Sequence, residues 1–140
     1  MTGLVVDRVT KRFPTRSEPL TILRDVSFAC QAGDSVAILG PSGSGKSTLL
    51  HILGTLDRPT AGSVTLDGQD PFQLDEAGTA SFRNRHIGFV FQDHHLLPQL
   101  SVLENVLIPT LAEGHPDEPT IARARDLIDR VGLSARLEHR

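Results

Sequence analysis

Short apolar runs separated by polar turns predict mostly strands in the first half of the chain. The runs lie at residues 4–9, 22–28, 36–39 and 63–66, and glycine, proline and aspartate recur between them. The run at 36–39 is continuously apolar, which predicts a strand that is buried on both faces. Residues 49–53 continue without a breaker until Gly54, and this predicts a helix of about two turns.

Helical patterns are more frequent in the second half. Residues 74–85 are polar and predict a helix that leads into an apolar strand at 87–91. Ser101 and Glu104 have the spacing of a capping box, so a helix is expected to begin at Val102 and to run towards Pro109. Residues 119–131 predict a last helix with one apolar face, ended by Gly132. Strands and helices together predict an α/β fold.

The composition is that of a soluble globular protein. The chain has 140 residues, of which 39% are hydrophobic and 22% are charged, and its net charge is −3. This charge produces no strong field that would attract nucleic acid, so no nucleic-acid partner is expected. No apolar run approaches the roughly 20 residues that span a bilayer. The first residues lack the pattern of a signal peptide, so a cytoplasmic location is expected.

One motif carries the strongest chemical signal. Between a predicted strand and a predicted helix, the pattern G-x-x-x-x-G-K-[ST] is matched by Gly40, Pro41, Ser42, Gly43, Ser44, Gly45, Lys46, Ser47 and Thr48. The glycines allow the backbone to curl with its N–H groups inward, and the helix N-terminus adds partial positive charge. The N–H groups of residues 43–46 would bind a β-phosphate, which a side chain at Gly43 or Gly45 would crowd. The motif therefore predicts a phosphate-binding loop.

The side chains at the end of this loop have separate expected roles. Lys46 would reach the β- and γ-phosphates, Ser47 would bind Mg²⁺, and Thr48 would turn towards the α-phosphate. The alternative is a chance match in a glycine-rich turn. The flanking elements argue against it, as does the rarity of lysine, which occurs only at Lys11 and Lys46.

Two residues outside the loop are candidates for nucleotide contacts. Phe13 follows the first predicted strand, where its ring would either stack on adenine or pack in the core or a loop. Gln92 directly follows the predicted strand at 87–91, and the carboxyl ends of strands form the ligand-binding edge of α/β folds. Its amide oxygen would hold Mg²⁺ or the attacking water there. The alternative is an ordinary polar loop residue.

Together these motifs resemble those of a known family. The loop GPSGSGKST, the stretch RPTAGSVTLDGQD and above all the stretch HIGFVFQDHHLLPQLSVLENV look like the nucleotide-binding subunit of an ABC transporter. The closest branch is the one that powers lipoprotein release and macrolide-type export. The resemblance extends from Leu4 to about His139. It implies a P-loop NTPase fold of the ABC ATPase type with an N-terminal antiparallel β subdomain, and ATP hydrolysis with ATP and Mg²⁺ as cofactors.

The resemblance also implies roles for individual residues. Phe13 corresponds to the adenine-stacking aromatic, although tyrosine is more usual there. Residues 40–48 correspond to the Walker A loop, and Gln92 corresponds to the Q-loop glutamine that contacts Mg²⁺. Lys46 and Gln92 are therefore the expected catalytic residues.

The partners implied by the resemblance involve an apolar pair after Gln92. In the family, the region of Leu96 and Leu97 lies beside the surface that docks onto the membrane permease subunit, so both are expected to be exposed until that partner covers them. Burial against the following helix is the alternative. A second nucleotide-binding subunit is also implied, as is a location on the inner face of the cell membrane.

Later motifs of the family do not occur after Gln92. The sequence has no LSGGQ-like signature, no apolar strand ending in Asp-Glu and no later switch histidine. We therefore expect residues 1–140 to be a partial nucleotide-binding domain, truncated before the signature motif, in which residues 36–39 lie beside unpaired edges. The isolated chain is expected to be unstable or to aggregate, and to hydrolyse ATP at no more than background level. The alternatives are a catalytically inactive regulatory module and another P-loop enzyme, such as a small-molecule kinase.

Overall fold

Three antiparallel strands form the sheet in the computed structural model, which describes residues 3–139. The strands are β1 (Gly3–Phe13), β2 (Leu20–Gln31) and β3 (Ala61–Leu66), and their order is β2-β1-β3. β1 and β2 pair from Gly3 with Gln31 to Phe13 with Leu20, so they form one long hairpin. The antiparallel sheet predicted for the N-terminal part is therefore confirmed.

The helix that follows the phosphate-loop motif packs into the core of this sheet. Helix α1 (Lys46–Leu53) contributes Leu49 and Ile52, which are 6% and 0% exposed. They join Val6, Val9, Leu23 and Val64 of the strands in one buried cluster. Each such aliphatic side chain contributes about 1.5–3 kcal/mol when fully buried. This packing fixes the start of α1, and with it the end of the loop.

All three strands are irregular at one level of the sheet. Arg8 on β1 and Asp25 on β2 both have φ of 47°, and Gly62 on β3 has φ of 85°. The pairing registers of β1 with both neighbours shift close to these positions. A Cβ atom at Gly62 would lie 2.3 Å from the Arg8 carbonyl oxygen, so only glycine fits there. Bulges of this kind bend strands and increase their twist.

Side chains satisfy the backbone groups that the bulges remove from the ladder. The Arg8 N–H donates to the Ser27 hydroxyl at 2.8 Å. The Asp25 N–H donates to the Thr10 hydroxyl at 3.1 Å, and Thr10 is 6% exposed. Because a buried N–H without an acceptor is costly, these bonds stabilise the bulges.

A second helix completes the part of the chain that extends to Gly88, the first of two compact units. Helix α2 (Glu76–His86) follows the 3₁₀ turn Pro71–Gln73 and was predicted at 74–85. Asp75 caps it by accepting from the Gly78 N–H at 2.8 Å. Arg83 donates to the Thr55 carbonyl at 2.7 Å, which ties α2 to the end of α1.

The second unit starts at Phe89 and consists of helices and loops in the described residues. Helix α3 (Val102–Leu107) begins with the predicted capping box between Ser101 and Glu104, and the 3₁₀ segment Ile108–Glu113 continues it. Helix α4 (Glu118–Arg130) buries Ala124 and Ile128. The helices predicted from Val102 and at 119–131 are thus confirmed within one or two residues.

Two predicted strands are wrong. Residues 36–39 and 87–91 are irregular, and every strand pairing within residues 3–139 is antiparallel and excludes them. Val36 and Leu39 are 60% and 88% exposed, and Val90 is fully exposed. An apolar run becomes a strand only when neighbouring strands supply its hydrogen bonds, and the described residues supply none.

Candidate functional site

The predicted phosphate loop has a backbone conformation that its glycines make possible. Gly43 and Gly45 have φ of 79° and 90°, in the left-handed region. Between them, the Ser44 N–H donates to the Pro41 carbonyl at 3.3 Å, which closes a turn. Gly45 is the N-cap of α1, and its carbonyl accepts from the Leu49 N–H at 2.9 Å. The motif therefore forms a tight loop that passes directly into a helix, as the sequence predicted.

The start of α1 leaves backbone donors available. No side chain caps this helix, and its first turn contains no acidic residue. The first N–H groups of a helix have no partner within it, and they lie at the positive end of the helix dipole. Backbone donors without a side-chain acceptor at this end make α1 suited to bind an anion.

Lys46 lies across the loop. Its ammonium group donates to the carbonyl oxygens of Gly40 at 2.9 Å and Pro41 at 2.7 Å. Lys46 is the first residue of α1, and both bonds connect its side chain to the beginning of the motif. Lys46 therefore closes the loop and places its positive charge at the beginning of the motif.

Gly45 is required for packing as well as for conformation. A Cβ atom there would lie 2.9 Å from both Ile22 Cγ2 and Leu23 Cδ2, and 3.2 Å from the Ile22 carbonyl oxygen. The sequence predicted that a side chain at this position would crowd a phosphate. The structure gives a different reason, because β2 already occupies the space beside Gly45.

Phe13 lies at the end of β1, outside the buried core cluster. Its side chain is 39% exposed, and its ring centroid lies 5.0 Å from the Lys11 ammonium nitrogen. Lys11 pairs with Leu23, one of the two residues against which Gly45 packs. The ring therefore belongs to the hairpin that packs against the phosphate loop, and it does not pack in the core. Its stacking on adenine stays a prediction, with packing in a loop as the alternative.

Gln92 lies in an exposed, irregular segment of the second unit. The prediction that it follows a strand directly is wrong, because residues 87–91 do not form one. Before it, the rings of Phe89 and Phe91 stack with centroids 5.0 Å apart, and His95 meets Phe91 edge-on at 4.7 Å. The role of Gln92 stays a prediction from the sequence.

Leu96 and Leu97 are 58% and 41% exposed, so burial against the following helix is not observed. The backbone beside them is nevertheless fixed. Asn105 of α3 accepts from the Leu97 N–H at 2.9 Å. Its amide nitrogen donates to the carbonyls of Leu97, Leu100 and Ser101 at 3.1, 3.2 and 3.0 Å. Sequence reasoning missed this role because no local pattern marks an asparagine that binds a loop from within a helix.

Comparison with known proteins distinguishes between the classes of P-loop protein that the sequence left open. The sequence profile of the family described as ABC transporter matches residues 23–140. The chain belongs to the ABC transporter family. Membership in the ABC transporter family excludes the small-molecule kinase considered as an alternative. The fold agrees, because the chain resembles the ATP-binding cassette MJ0796 bound to ADP and Pi with a TM-score of 0.87 and 35% identity. That match covers 98% of this chain and 61% of the cassette.

Curated ABC transporter relatives are transport ATP-binding proteins. The lipoprotein-releasing system ATP-binding protein LolD 1 of Rhodopirellula baltica is 60% identical over 136 residues, which are 97% of this chain and 59% of that protein. A LolD of Geobacter metallireducens is 48% identical, and the match covers 98% of this chain and 61% of that protein. The macrolide export ATP-binding/permease protein MacB of Burkholderia pseudomallei is 46% identical and is covered to 22%. The chain thus spans about three fifths of the length of these LolD proteins. Within residues 3–139, no helix has the length and apolar character needed to cross a membrane.

Proposed function

We propose that this chain is the ATP-binding part of a transporter subunit that couples ATP binding and hydrolysis to export or lipoprotein release across a membrane. The observation that carries the proposal is the loop at 40–48, where two left-handed glycines lead into the uncapped α1 and Lys46 closes the loop. The names of the LolD and MacB relatives support ATP as the ligand and transport as the process. They do not favour a catalytically inactive regulatory module.

Lys46 would exchange its present partners for phosphate oxygens. It now donates to the neutral carbonyls of Gly40 and Pro41, and a charged phosphate oxygen would add the Coulomb attraction between opposite charges that a neutral carbonyl lacks. The N–H groups at the start of α1 would bind the same phosphates. During phosphoryl transfer, charge develops on the phosphate oxygens, so a fixed ammonium at this position would stabilise the transition state.

Ser47 and Gln92 are each proposed as a ligand of Mg²⁺, Ser47 from the motif and Gln92 from the resemblance. Ser47 lies exposed in the first turn of α1, and hydroxyl and amide oxygens are among the hard ligands that Mg²⁺ accepts. When bound, Mg²⁺ neutralises charge on the phosphate oxygens. Gln92 carries the matching amide oxygen, and its assignment rests on the resemblance of its segment to the Q-loop.

Phe13 would stack on the base of the nucleotide. An exposed ring at the end of β1 offers the flat apolar face that a purine needs, and one such contact contributes about 1–3 kcal/mol. Stacking does not depend on the exocyclic groups of the base, so Phe13 alone favours purines without choosing between ATP and GTP.

The partners would be a membrane permease subunit and a second nucleotide-binding subunit. Leu96 and Leu97 present exposed apolar side chains on a segment whose backbone Asn105 holds in place, which suits a docking surface. A dimer is supported by the dimeric form in which the cassette MJ0796 was solved. The subunit would then lie on the inner face of the cell membrane.

Equilibrium binding of a fluorescent ATP analogue with Mg²⁺ tests the proposal. Lys46→Ala should weaken binding about tenfold or more, because it removes charge-assisted hydrogen bonds to the phosphates. Arg125→Ala is the matched control, since it removes one positive charge from an exposed position of α4 in the other unit. Circular dichroism of each variant checks that the secondary structure is retained. Equal affinities of the wild type and Lys46→Ala would contradict the proposal, as would an equal loss in both variants.

A further inference from the structure

Lys11, on the central strand β1, has an unusually enclosed environment for a lysine. Its side chain is only 12% exposed, and its ammonium nitrogen lies 2.6 Å from Asp57 Oδ1 and 2.8 Å from the Arg58 carbonyl oxygen. The same nitrogen lies over the ring of Phe13 at 5.0 Å from the centroid. Lys11 thus has two oxygen partners and one aromatic partner, and the proposed function assigns it no role.

The oxygen partners of Lys11 belong to the segment that directly follows α1. The Asp57 N–H donates to the His51 carbonyl of α1 at 3.2 Å. Asp57 Oδ1 also accepts from the Arg58 N–H at 2.8 Å, so this carboxylate oxygen is fixed from two sides. The Arg58 guanidinium in turn donates to the Phe72 carbonyl at 3.0 Å. The position of the ammonium group is therefore set by the helix that carries the phosphate loop.

Thr60 makes a second connection between this segment and β1. The Thr60 N–H donates to the Thr10 carbonyl at 2.8 Å, and the Thr60 hydroxyl accepts from the Arg12 N–H at 3.0 Å. The strand is consequently held on both sides of Lys11. Phe13 is the last residue of β1, and its backbone pairs with Leu20 of β2.

We propose that Lys11 is a positioning residue for the base of the nucleotide. Its ammonium group lies against one face of the Phe13 ring and, through Asp57, keeps the ring in a fixed orientation relative to α1 and the phosphate loop. The other face of the ring is left for the purine. Attraction between a cation and a ring face of this kind favours the ring orientation in which the contact is kept. The inference rests on the proposed function, since it requires that Phe13 stacks on a base.

The proposal differs from a purely structural role in what it predicts for different ligands. Loss of Lys11 should weaken the binding of ATP, which has a base, and should leave the binding of inorganic tripolyphosphate nearly unchanged. A structural ion pair that supports the whole unit would affect both ligands equally. A general loss of positive charge would also affect both ligands, because both carry the phosphates.

A double-mutant cycle measured by isothermal titration calorimetry with ATP and with tripolyphosphate tests the assignment. Lys11→Met keeps the aliphatic stem and should weaken ATP binding roughly fivefold, with less than about a twofold change for tripolyphosphate. Phe13→Leu should weaken ATP binding at least as much. Adding Lys11→Met to Phe13→Leu should then have no further effect. Lys11→Arg, which keeps the cation, should restore most of the affinity for ATP.

Arg24→Met is the matched control, because it removes a positive charge from an exposed position of the same hairpin and should leave both affinities unchanged. Equal losses for the two ligands in Lys11→Met would overturn the positioning role, as would a loss that persists in the Phe13→Leu background. Failure of the wild type to bind either ligand would instead overturn the proposed function, and the positioning role with it.

Discussion

Gly45 is subject to two separate constraints, and they can be measured apart. Its φ of 90° is in the left-handed region, and the position of its missing Cβ is already within 2.9 Å of two side chains of β2. Gly68, in the turn after β3, has a similar φ of 81° but no atom within 4 Å of such a Cβ. The two glycines therefore share the backbone strain that alanine would suffer, and only Gly45 adds a steric clash.

Substitution of each glycine by alanine separates the two effects. Gly68→Ala should lower the free energy of unfolding by about 1–2 kcal/mol through strain alone. Gly45→Ala should lower it by about 1–3 kcal/mol more, because β2 or the loop has to move. Urea denaturation of both variants measures the difference. A Gly45→Ala variant no less stable than Gly68→Ala would show that the contact with β2 relaxes freely.

The structural roles of some residues could be predicted from the sequence, and those of others could not. The curled backbone at Gly43 and Gly45 follows from a local motif, so the sequence predicts it. The bonds from Lys46 to the carbonyls of Gly40 and Pro41 were not predicted, because the motif indicates only a contact with phosphates. The contact of Lys11 with Phe13 had a signal as well, since residues two apart on a strand point to the same side. The ion pair between Lys11 and Asp57 had no such signal in the sequence, because Asp57 lies 46 positions further along the chain.

Helices whose ends are determined by their own residues were predicted most accurately. Asp117 caps α4 by accepting from the Thr120 N–H at 3.0 Å. Hydrogen bonds from the Thr120 side chain and backbone lower the pKa of the Asp117 carboxyl below its ordinary value of 3.8. A lowered pKa in the folded state means that the ionised cap stabilises the fold above about pH 3.8. That contribution is lost as the pH falls through the folded-state pKa.

Variants at Asp117 test both the cap and its pH dependence. At pH 7, Asp117→Ala should lower Tm by about 3 °C because the first turn loses its acceptor. Asp117→Asn keeps an acceptor that does not titrate, so its Tm should approach that of the wild type as the pH falls below 3.8. Thermal unfolding followed by circular dichroism between pH 7 and pH 3 measures this convergence. A constant Tm difference across this range would argue against the ionised cap.

Strands depended on information that the local pattern does not contain. Strands were predicted at 4–9 and 22–28, and they are confirmed as parts of β1 and β2, which are consecutive and supply each other's hydrogen bonds. The runs at 36–39 and 87–91 have the composition of buried strands, yet both are irregular among the described residues. Apolar composition indicates that a segment prefers burial. It does not indicate which other segment would cover it, so it does not by itself predict a strand.

At the scale of the whole molecule, exposed apolar side chains are the main liability. Val36, Leu39 and Val90 are 60%, 88% and 102% exposed, and all three come from runs with the composition of core strands. Exposed apolar side chains promote the association of soluble proteins when they form patches. The 140-residue chain should therefore bind an apolar dye and associate as its concentration rises.

Threonine substitutions test this expectation with little change of shape. Leu39→Thr combined with Val90→Thr should lower both the fluorescence of bound anilinonaphthalene sulfonate and the mean mass measured by sedimentation. Val131→Thr is the control, since Val131 is 69% exposed but lies outside both runs. A wild type that binds no dye and sediments as a monomer at high concentration would contradict the prediction.

The aligned bulges at Arg8, Asp25 and Gly62 have a consequence for motion. If one strand shifted by one register step relative to its neighbour, each residue with positive φ would come to lie opposite a different residue of that neighbour. Gly62 would then give way to a residue whose Cβ has no room beside the carbonyl of Arg8. Sliding is therefore blocked at one level across all three strands. The motions that remain open to the sheet are bending and twisting. Because Phe13 belongs to the hairpin, it moves with the hairpin in these motions.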